Sequence, residues 1–502
     1  MERRNFLRGC ALALAGATLP AEHAHASTTS WGDYPKSLSS EVLPSTLQAK
    51  NVLEFFMYGG VSPWETFYAV DDWGKSKGWF LHSFNDSQWS IPAAQKLCAP
   101  SSAALTQPFA KDLHGTTVGM GPFAMPLRAR ADLLARLRLH VVQHDLIPHQ
   151  AALPLAITGQ RIGTPKMAAV GSHVQRYFQS HATSPASEPH AFVLRSIHRA
   201  DLAAAAAVST GLHVGTARPV ELGLSGNLAV TETLKRTKVK EGLAQRDALL
   251  KHYAKRFQAR AYPMGSQTMS RAPMVTDYLH SLHSLQVFSK TLAAALPVKL
   301  FTDIPGTFCG KSFKSVDTSR NLRVAIELLR RPGSQAKHIT VFDSGMERAP
   351  VDFGHDTHTD HVKYACVNYQ SSLQALCNAI NKPGENDSTK IDLNETLVVI
   401  NTEFGRTPWA VGLTGRNHHP GAYVTAMLGG PIGSAQKGIV GAIDSSGVAT
   451  KPLTPSETRA ATLVALGIYP FAQEAYSIHD INGVKTEEAA LQKLRKEVLG
   501  VV

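Results

Sequence analysis

Residues 395–408 read ETLVVINTEFGRTP, an apolar, β-branched run that leads directly into a cluster of charged side chains. Residues 338–342, HITVF, form a second short run of the same kind. Continuous apolar runs of this length are typical of the central strands of a parallel sheet, which are buried on both faces. The two stretches therefore predict a parallel sheet whose strands end in polar residues that can carry chemistry.

Strands and helices alternate on both sides of this pair. Further strands are predicted at residues 51–58, 137–143, 191–195, 422–428 and 438–443. Helical patterns occur at residues 243–258, 276–295, 321–330, 359–380 and 456–466. The alternation predicts an α/β three-layer sandwich, with a mostly parallel sheet flanked by helices. A helical insertion is expected near residues 200–330, and long loops are expected at 82–125 and 182–190.

Residues 1–26 have the order of features found in an export signal. Arg3 and Arg4 stand just before Phe6-Leu7, an apolar run follows at residues 11–19, and Ala24-His25-Ala26 offers a small-residue cleavage site. This order predicts a twin-arginine signal peptide, with an ordinary secretory signal as the alternative. We therefore expect the twin-arginine translocase as a partner, a periplasmic or secreted location, and a linker at residues 27–48.

The positive charge of the chain is spread thinly. The formal net charge is +12 over 502 residues. The chain lacks a run of about five or six basic residues, so no nucleic-acid partner is expected. A diffuse positive field favours an anionic small molecule or a glycan as substrate. No stretch beyond residue 26 has the roughly 18 uninterrupted apolar residues of a membrane-spanning helix, so no transmembrane segment is expected.

Four cysteines follow the predicted signal, at positions 98, 309, 366 and 377. An exported protein can hold disulfide bonds. Cys366 and Cys377 fall on one predicted helix, about 16 Å apart along its axis, which is too far for a bridge. Cys98–Cys309 is the expected pair if a bridge forms, and four buried free thiols are the alternative.

Polar clusters at the strand ends are the candidate sites, because ligands of open α/β sheets bind beyond the carboxyl ends of the strands. After the first strand, Gly59-Gly60 allows a sharp turn that would direct Glu65 into the site, with a simple turn as the alternative. After the second strand, His144 and His149 suit acid–base chemistry or a divalent metal, although isolated histidines are commonly structural.

Two later clusters are denser. Residues 353–361, FGHDTHTDH, hold three histidines and two aspartates, a combination that favours zinc, manganese or iron. A helix N-terminus is the structural alternative for this segment. Arg406 and Arg416 flank the loop after residue 403, and either could pair with phosphate, sulfate or a carboxylate. A surface salt bridge is the alternative for these arginines.

Several motifs resemble those of one protein family. EFGRTP at residues 403–408, GRNHHP at 415–420, GG at 429–430 and GAID at 441–444 resemble motifs of the domain-of-unknown-function 1501 family, as does DTH at 356–358. This family is similar to the alkaline phosphatase and sulfatase superfamily. The resemblance implies an alkaline phosphatase-like domain over residues 49–502, with one or two metal ions bound where the parallel strands end.

The resemblance also implies a set of metal ligands. Asp356 and His358 would form one ligand pair. Glu403 would supply the carboxylate after the next strand, and His418 would be the ligand from a late loop. Ser62 or Glu65 would stand in for the carboxylate that follows the first strand, and Glu65 is the one that could serve as a metal ligand.

Catalytic roles follow from the same resemblance. His149 lies where the superfamily's nucleophile begins its helix, so it is expected to act as a base toward water, with His144 as the other candidate. Arg406 and Arg416 are expected to stabilise the negative charge that develops in the reaction.

These features together predict an exported, metal-dependent hydrolase of phosphate or sulfate esters, with zinc or manganese as the divalent ion. The alternative is a non-catalytic exported binding protein of the same fold with a degenerate metal site. A redox protein ranks last, because the sequence has no glycine-rich dinucleotide fingerprint after the first strand and no CxxC.

Overall fold

A twisted sheet of eight strands organises the protein, as seen in a computed structural model. The structure describes residues 42–73, 104–164, 167–181, 188–197, 201–211, 218–225, 296–346, 354–412, 414–471 and 475–501, together with isolated positions between 91 and 98, at 199, and between 245 and 256. In chain order the strands are β1 (Asn51–Met57), β2 (Gln107–Lys111), β3 (Thr117–Met120), β4 (Leu137–Val142), β5 (Ala191–Ser196), β6 (Val220–Leu224), β7 (Gly306–Phe308), β8 (Lys311–Phe313), β9 (His338–Asp343), β10 (Thr396–Asn401), β11 (Gly405–Arg406), β12 (His418–His419), β13 (Tyr423–Gly429), β14 (Gly438–Val440), β15 (Ala442–Ile443) and β16 (Ala449–Thr450).

The main sheet is parallel except for one internal strand. Its order is β14-β4-β13-β10-β1-β9-β5-β6. β13 runs antiparallel to β4 and β10, and all other neighbours are parallel. The C-terminal ends of β1, β4, β9 and β10 therefore share one edge with the N-terminal end of β13. We call this the carboxyl edge.

Helices cover both faces of the sheet. They are α1 (Met125–Arg128), α2 (Ala131–Leu134), α3 (His149–Thr158), α4 (Val170–Ser180), α5 (Leu202–Ser209), α6 (Asp317–Arg330), α7 (His361–Asn378), α8 (Pro455–Ala465) and α9 (Glu487–Lys493). Alternate residues of β10 face opposite layers: Val398 and Ile400 join the core that includes α6 and α7, whereas Leu397 and Val399 join the core that includes α4 and α8. A third core holds α3 and α5. The predicted mostly parallel sheet with helices on its faces is confirmed.

Short strands form in regions that the sequence predicts to be helical or loops, and the antiparallel pair of β7 and β8 is one example within the predicted helical insertion. Val220–Leu224 lies within the predicted helical insertion, yet it forms the edge strand β6 parallel to β5. Residues 107–120 lie within a predicted long loop, yet β2 and β3 pair there as an antiparallel hairpin. The strands β2, β3 and β6 were missed because they are short and carry exposed polar residues, which hide the apolar run of a buried strand. The predicted helices at 243–258 and 276–295 lie outside the described residues, isolated positions apart.

The N-terminal part of the described chain is packed against the domain. Val42 and Leu43, at the end of the predicted linker, are buried beside residues of α8. The predicted signal at residues 1–26 lies outside the described residues. None of the described helices combines the length and apolar character needed to span a bilayer.

The described cysteines form one disulfide. Cys98 is bonded to Cys309, while Cys366 and Cys377 are buried free thiols. The structure therefore selects the Cys98–Cys309 pair from the two alternatives that the sequence left open.

Candidate metal centre

Four side chains from three distant segments meet at the carboxyl edge. Asp356 and His358 lie in the loop between β9 and α7, and His149 is the first residue of α3, which follows β4. His418 lies in β12, just before the antiparallel strand β13, and reaches the same edge because β13 is reversed. We call these four residues the His/Asp cluster.

The donor atoms of the His/Asp cluster converge on one point. Asp356 Oδ1 lies 3.0 Å from His358 Nε2 and 3.5 Å from His418 Nε2. Asp356 Oδ2 lies 3.1 Å from His149 Nε2, and the two Nε2 atoms of His358 and His418 are 2.9 Å apart. One atom from each residue falls within 4.8 Å of the others. Ligands around a tetrahedral zinc are separated by about 3.3 Å, so these spacings suit one small cation.

Hydrogen bonds on the side away from the cluster orient two of the imidazole rings. His149 Nδ1 donates to Glu403 Oε1 at 2.8 Å, and His418 Nδ1 donates to the Ile147 carbonyl at 2.8 Å. With the proton on Nδ1, each neutral ring turns a bare Nε2 toward the cluster, the arrangement usual for metal-binding histidines. His149 Nε2 is buried and, although Asp356 is close, makes no hydrogen bond. The donor set therefore fits a divalent metal.

Asp356 is held by a fully buried arginine. Arg406 donates from Nη2 to Asp356 Oδ1 and to the Gly59 carbonyl. Its other nitrogens donate to the carbonyls of Gly60 and Arg416 at 3.4 and 3.2 Å. Because every nitrogen of the guanidinium is occupied within the protein, Arg406 positions the Asp356 carboxylate in this structure.

Two glycines leave the space that the residues of the cluster need to pack closely. Gly59 has φ +120°, and a Cβ there would stand 2.4 Å from the backbone nitrogen of Asp356. A Cβ on Gly60 would stand 2.7 Å from the ring of Phe404. That ring forms the floor of the cluster, since it stacks on His418 with a centroid separation of 4.2 Å. The Gly59-Gly60 turn is therefore required for close approach as well as for its bend.

Charge interactions shift the pKa values of the cluster residues in the metal-free protein. Burial raises the pKa of Asp356, but its contacts with the three histidines and with Arg406 outweigh burial and hold the pKa well below its usual value. Burial lowers the pKa of His149, but the carboxylates of Asp356 and Glu403 outweigh it and raise the pKa to about 9. Burial lowers the pKa of His418. A metal would therefore displace a proton from His149 at neutral pH.

The cluster is open to solvent on one side. The His358 side chain is 33% exposed, while the side chains of Asp356 and His418 are 15% and 11% exposed. Glu403, behind His149, is fully buried. A small ligand could therefore reach the cluster past His358, while the residues behind it are shielded.

Glu403 supports the cluster and is not one of its converging donors. Its Oε1 accepts hydrogen bonds from His149 Nδ1 and from the Gly59 backbone nitrogen, both at 2.8 Å. The expected metal-ligand role of Glu403 stays a prediction. Its contact with His149 Nδ1 places Glu403 on the side of that ring away from the converging atoms.

Glu65 and Arg416 form a separate, sealed pair. Arg416 Nη2 bonds Glu65 Oε1, and Arg416 Nη1 donates to the Thr407 carbonyl at 2.5 Å. Ser62 Oγ bonds the other oxygen of Glu65, and His361 Nε2 lies 3.5 Å from it. Both Glu65 and Arg416 are fully buried. Their expected roles as metal ligand and anion-binding residue stay predictions, and their contacts favour a structural role.

The dense segment at 353–361 divides between these groups. Asp356 and His358 enter the cluster, whereas His355 Nε2 lies 2.8 Å from the Asp343 carboxylate. His361 Nδ1 lies 2.6 Å from Thr357 Oγ1, and Asp360 is the N-cap residue of α7. Asp356 and His358 therefore join the cluster, where the metal-site interpretation stays a prediction, and α7 begins beyond them at His361.

Some contributions had no signal in the sequence. The Ile147 carbonyl that orients His418 is one, because a backbone acceptor is present at every residue. The Phe404 floor is another. His144, the other candidate base, contacts the Glu403 carbonyl at 2.7 Å through Nε2 and accepts from the Leu146 backbone nitrogen at 3.1 Å through Nδ1. Both ring nitrogens of His144 are thus used within the protein.

Comparison with protein-family models gives a match. No curated protein matches the chain. The model of a family described as "Protein of unknown function (DUF1501)" matches residues 330–482. That stretch contains Asp356, His358, Glu403 and His418, while His149 precedes it. The chain is therefore similar to the DUF1501 family over residues 330–482.

Proposed function

We propose that this protein is a metal-dependent hydrolase of phosphate or sulfate esters with an alkaline phosphatase-like arrangement. The observation that supports it most is the convergence of Asp356, His358, His418 and His149 at a solvent-accessible point of the carboxyl edge. Catalytic zinc sites commonly use three protein ligands and leave a position open for water or substrate. Asp356, His358 and His418 provide those three ligands in the proposal.

The donor set favours zinc, with manganese as the second choice. Three imidazole nitrogens and one carboxylate are a typical zinc set, whereas manganese prefers more oxygen ligands. Calcium is disfavoured because it takes oxygen ligands. Such an ion would lower the pKa of a bound water and polarise an ester oxygen.

His149 is the base in this proposal. Glu403 accepts the Nδ1 proton of His149, and a cation bound to Asp356 would lower the pKa of this ring, so that Nε2 would lose its proton and could take one from an attacking water. Arg406 fixes the carboxylate of Asp356. In this proposal neither arginine stabilises developing charge, because Arg406 positions Asp356 and Arg416 pairs with the buried Glu65.

A non-catalytic binding protein is the second candidate. Its support is that the donor atom of His149 also lies within 4.8 Å of the other three, so four protein ligands could close the coordination shell. A closed four-ligand shell is typical of structural zinc. The two candidates differ in the role of a single residue, His149.

Paired variants separate these candidates. In the hydrolase, His149→Ala retains metal after dialysis and loses at least about 100-fold in hydrolysis of p-nitrophenyl phosphate or p-nitrophenyl sulfate. In the binding protein, His149→Ala releases the metal. Asp356→Ala should weaken metal retention by at least about tenfold in both cases, since an anionic ligand is removed. His479→Ala, an exposed histidine outside the cluster, is the matched control.

Elemental analysis and melting curves with and without chelator provide the measurements. An ion that binds only the folded state raises the melting temperature by mass action. A metal-free wild type whose melting does not respond to zinc or manganese would refute both candidates.

We further propose that the protein is exported by the twin-arginine translocase to the periplasm or beyond. The support is the Arg3-Arg4 motif, and the Cys98–Cys309 disulfide is a bond that persists in oxidising compartments. Replacing Arg3-Arg4 by Lys-Lys should leave unprocessed precursor inside the cell on immunoblots of cell fractions. Undiminished export of this variant would contradict the twin-arginine route.

A further inference from the structure

A polar cavity lies beside the His/Asp cluster. It has a volume of about 280 Å³ and opens where β5 and β9 end. Its wall includes Ser196 and Asp343 at the ends of these strands, and Asp317 and Asn321 from the first turns of α6. None of the functional roles assigned above uses this cavity.

One side chain in the wall has an unmet hydrogen-bonding requirement. Asn321 is 2% exposed, and its Oδ1 is buried without a hydrogen-bond partner. A buried amide oxygen without a donor costs about 1–3 kcal/mol, so such atoms call for a specific explanation. A ligand that offers a hydroxyl or amide donor would satisfy Asn321 Oδ1.

The wall of the cavity carries equal numbers of positive and negative side chains. Arg199 and Lys314 bring two positive charges, and Asp317 and Asp343 bring two negative charges. Asp343 is already surrounded by donors, since its carboxylate accepts from Thr318 Oγ1 and Ser372 Oγ, both at 2.5 Å. The wall therefore gives no net preference for a charged ligand.

Aromatic residues complete the wall. Phe313 from β8 and Phe342 from β9 both line the cavity; Phe313 is half-buried, whereas the ring of Phe342 packs on Phe56 in the third core. Rings beside several hydrogen-bonding groups are the usual lining of a small-molecule site. This combination suits a neutral ring that has apolar faces and a hydroxylated edge, as a sugar does.

A single residue, Tyr58, contacts both the wall of the cavity and the His/Asp cluster. The backbone nitrogen of Tyr58 donates to the Asp343 carbonyl at 2.7 Å, while the Tyr58 ring lies 5.5 Å from the ring of His149. A second connection runs through His355, which contacts the Asp343 carboxylate and precedes Asp356 in the chain. Tyr58 and His355 therefore connect the wall of the cavity to the residues of the cluster.

We propose that this cavity binds a neutral hydroxylated group, of the size of a single sugar or polyol ring, and holds it beside the His/Asp cluster. The inference rests on the proposed function in one respect: it makes this group the alcohol part of the ester whose phosphate or sulfate reaches the cluster. Asn321 accepts a ligand hydroxyl, and the ring of Phe313 packs on a ligand face.

Binding of free sugars tests the cavity separately from hydrolysis. Glucose, N-acetylglucosamine and myo-inositol are titrated into the chelator-treated full chain and into its Asp356→Ala variant, with saturation-transfer NMR as the measurement. At least one should bind both proteins with a Kd on the order of 1 mM. Asn321→Leu should weaken that binding at least about tenfold and keep the fold, because it removes an unsatisfied buried polar group. Ser319→Ala, on the same helix outside the wall, is the control.

Other outcomes overturn the proposal. It fails if none of the three compounds binds, or if Asn321→Leu folds and binds as the wild type does. Binding of inorganic phosphate that Lys314→Met abolishes would make the cavity an anion site instead. If Asn321→Leu does not fold, Phe313→Ala at the half-buried rim replaces it, with the same expected loss. Sugar binding without metal retention would refute the hydrolase and leave the cavity as a binding site.

Discussion

Asp356 and Glu65 are both acidic residues that follow strands of the same sheet edge, yet their surroundings differ. Asp356 is 15% exposed and faces three imidazole rings whose donor atoms converge beside it. Glu65 is fully buried and bonds directly to Arg416, with Ser62 and His361 at its other oxygen. The comparison teaches that a carboxylate at a strand end is a candidate ligand only when its neighbours leave it accessible.

The charge partners explain the difference. Arg416 neutralises Glu65 within a closed interior, so the pair resembles a buried salt bridge whose members depend on one another. Arg406 bonds Asp356 Oδ1, which also lies near His358 and His418, while Asp356 Oδ2 lies near His149. The first arrangement is expected to stabilise the fold, and the second to bind a cation.

Removing Arg416 should have the largest effect. Arg416→Met leaves the Glu65 carboxylate buried without its partner, so we expect the free energy of unfolding to fall by about 3–5 kcal/mol. Urea titration of the purified protein measures this loss. The double variant Glu65→Gln/Arg416→Met, which removes both charges, should be clearly more stable than Arg416→Met. Equal stability of the single variant and wild type would remove the contrast between the two regions.

The two regions should respond to pH in opposite directions in chelator-treated protein. The pKa of His149 is raised from 6.5 to about 9, so its stabilisation is complete below pH 6.5 and is lost as the pH rises through about 9. This loss amounts to about 3 kcal/mol and should be absent in His149→Gln. Burial raises the pKa of Glu65, but Arg416 and His361 outweigh it and lower the pKa from 4.5 to about 2. Its stabilisation is complete above pH 4.5 and is lost as the pH falls through about 2.

Thermal melts across both pH ranges provide the measurement. Stability of the chelated wild type that stays level between pH 6.5 and 9, or that falls equally in His149→Gln, would contradict the assignment of His149.

Removing the charge behind His149 should have the smallest effect of the three. Glu403→Gln keeps the shape of the side chain and an acceptor for the Nδ1 proton, but it weakens the orientation of the ring. We expect metal affinity to fall by about tenfold, the lower end of the range for groups that support a ligand. Competition with a coloured chelator measures the affinity. Glu395→Gln, a half-exposed glutamate beside Lys50, should bind metal as the wild type does.

The sequence predicts the central strands and some of the candidate ligands for the same reason. Short apolar runs such as residues 395–401 identify buried strands, and the polar residues just beyond them must lie at the sheet edge. Glu403 could be singled out in this way, whereas the density of histidines and aspartates in residues 353–361 singles out Asp356. The edge strand β6 escaped notice because Glu221 is exposed and Gly223 interrupts the apolar pattern.

Partner choice could not be predicted from the sequence. Glu65 meets Arg416 across 351 positions, and His149 meets Glu403 across 254. Nothing local to Glu65 distinguishes it from a metal ligand, because the neutralising charge arrives from a distant loop. The orientation of His418 likewise depends on a carbonyl 271 positions away. Such pairings are fixed only when the tertiary structure forms.

The reversed strand β13 has a consequence for the kinetics of unfolding. Because β13 runs against its neighbours, His418 joins residues whose strands end at the same edge, and the cluster draws on positions 149, 356, 358 and 418. Contacts this far apart in sequence carry a high loop-closure cost and are completed late in folding. An ion that requires all of them is absent from the transition state, so it would slow unfolding and leave the folding rate unchanged. A bound ion would then increase the kinetic stability of the folded sheet.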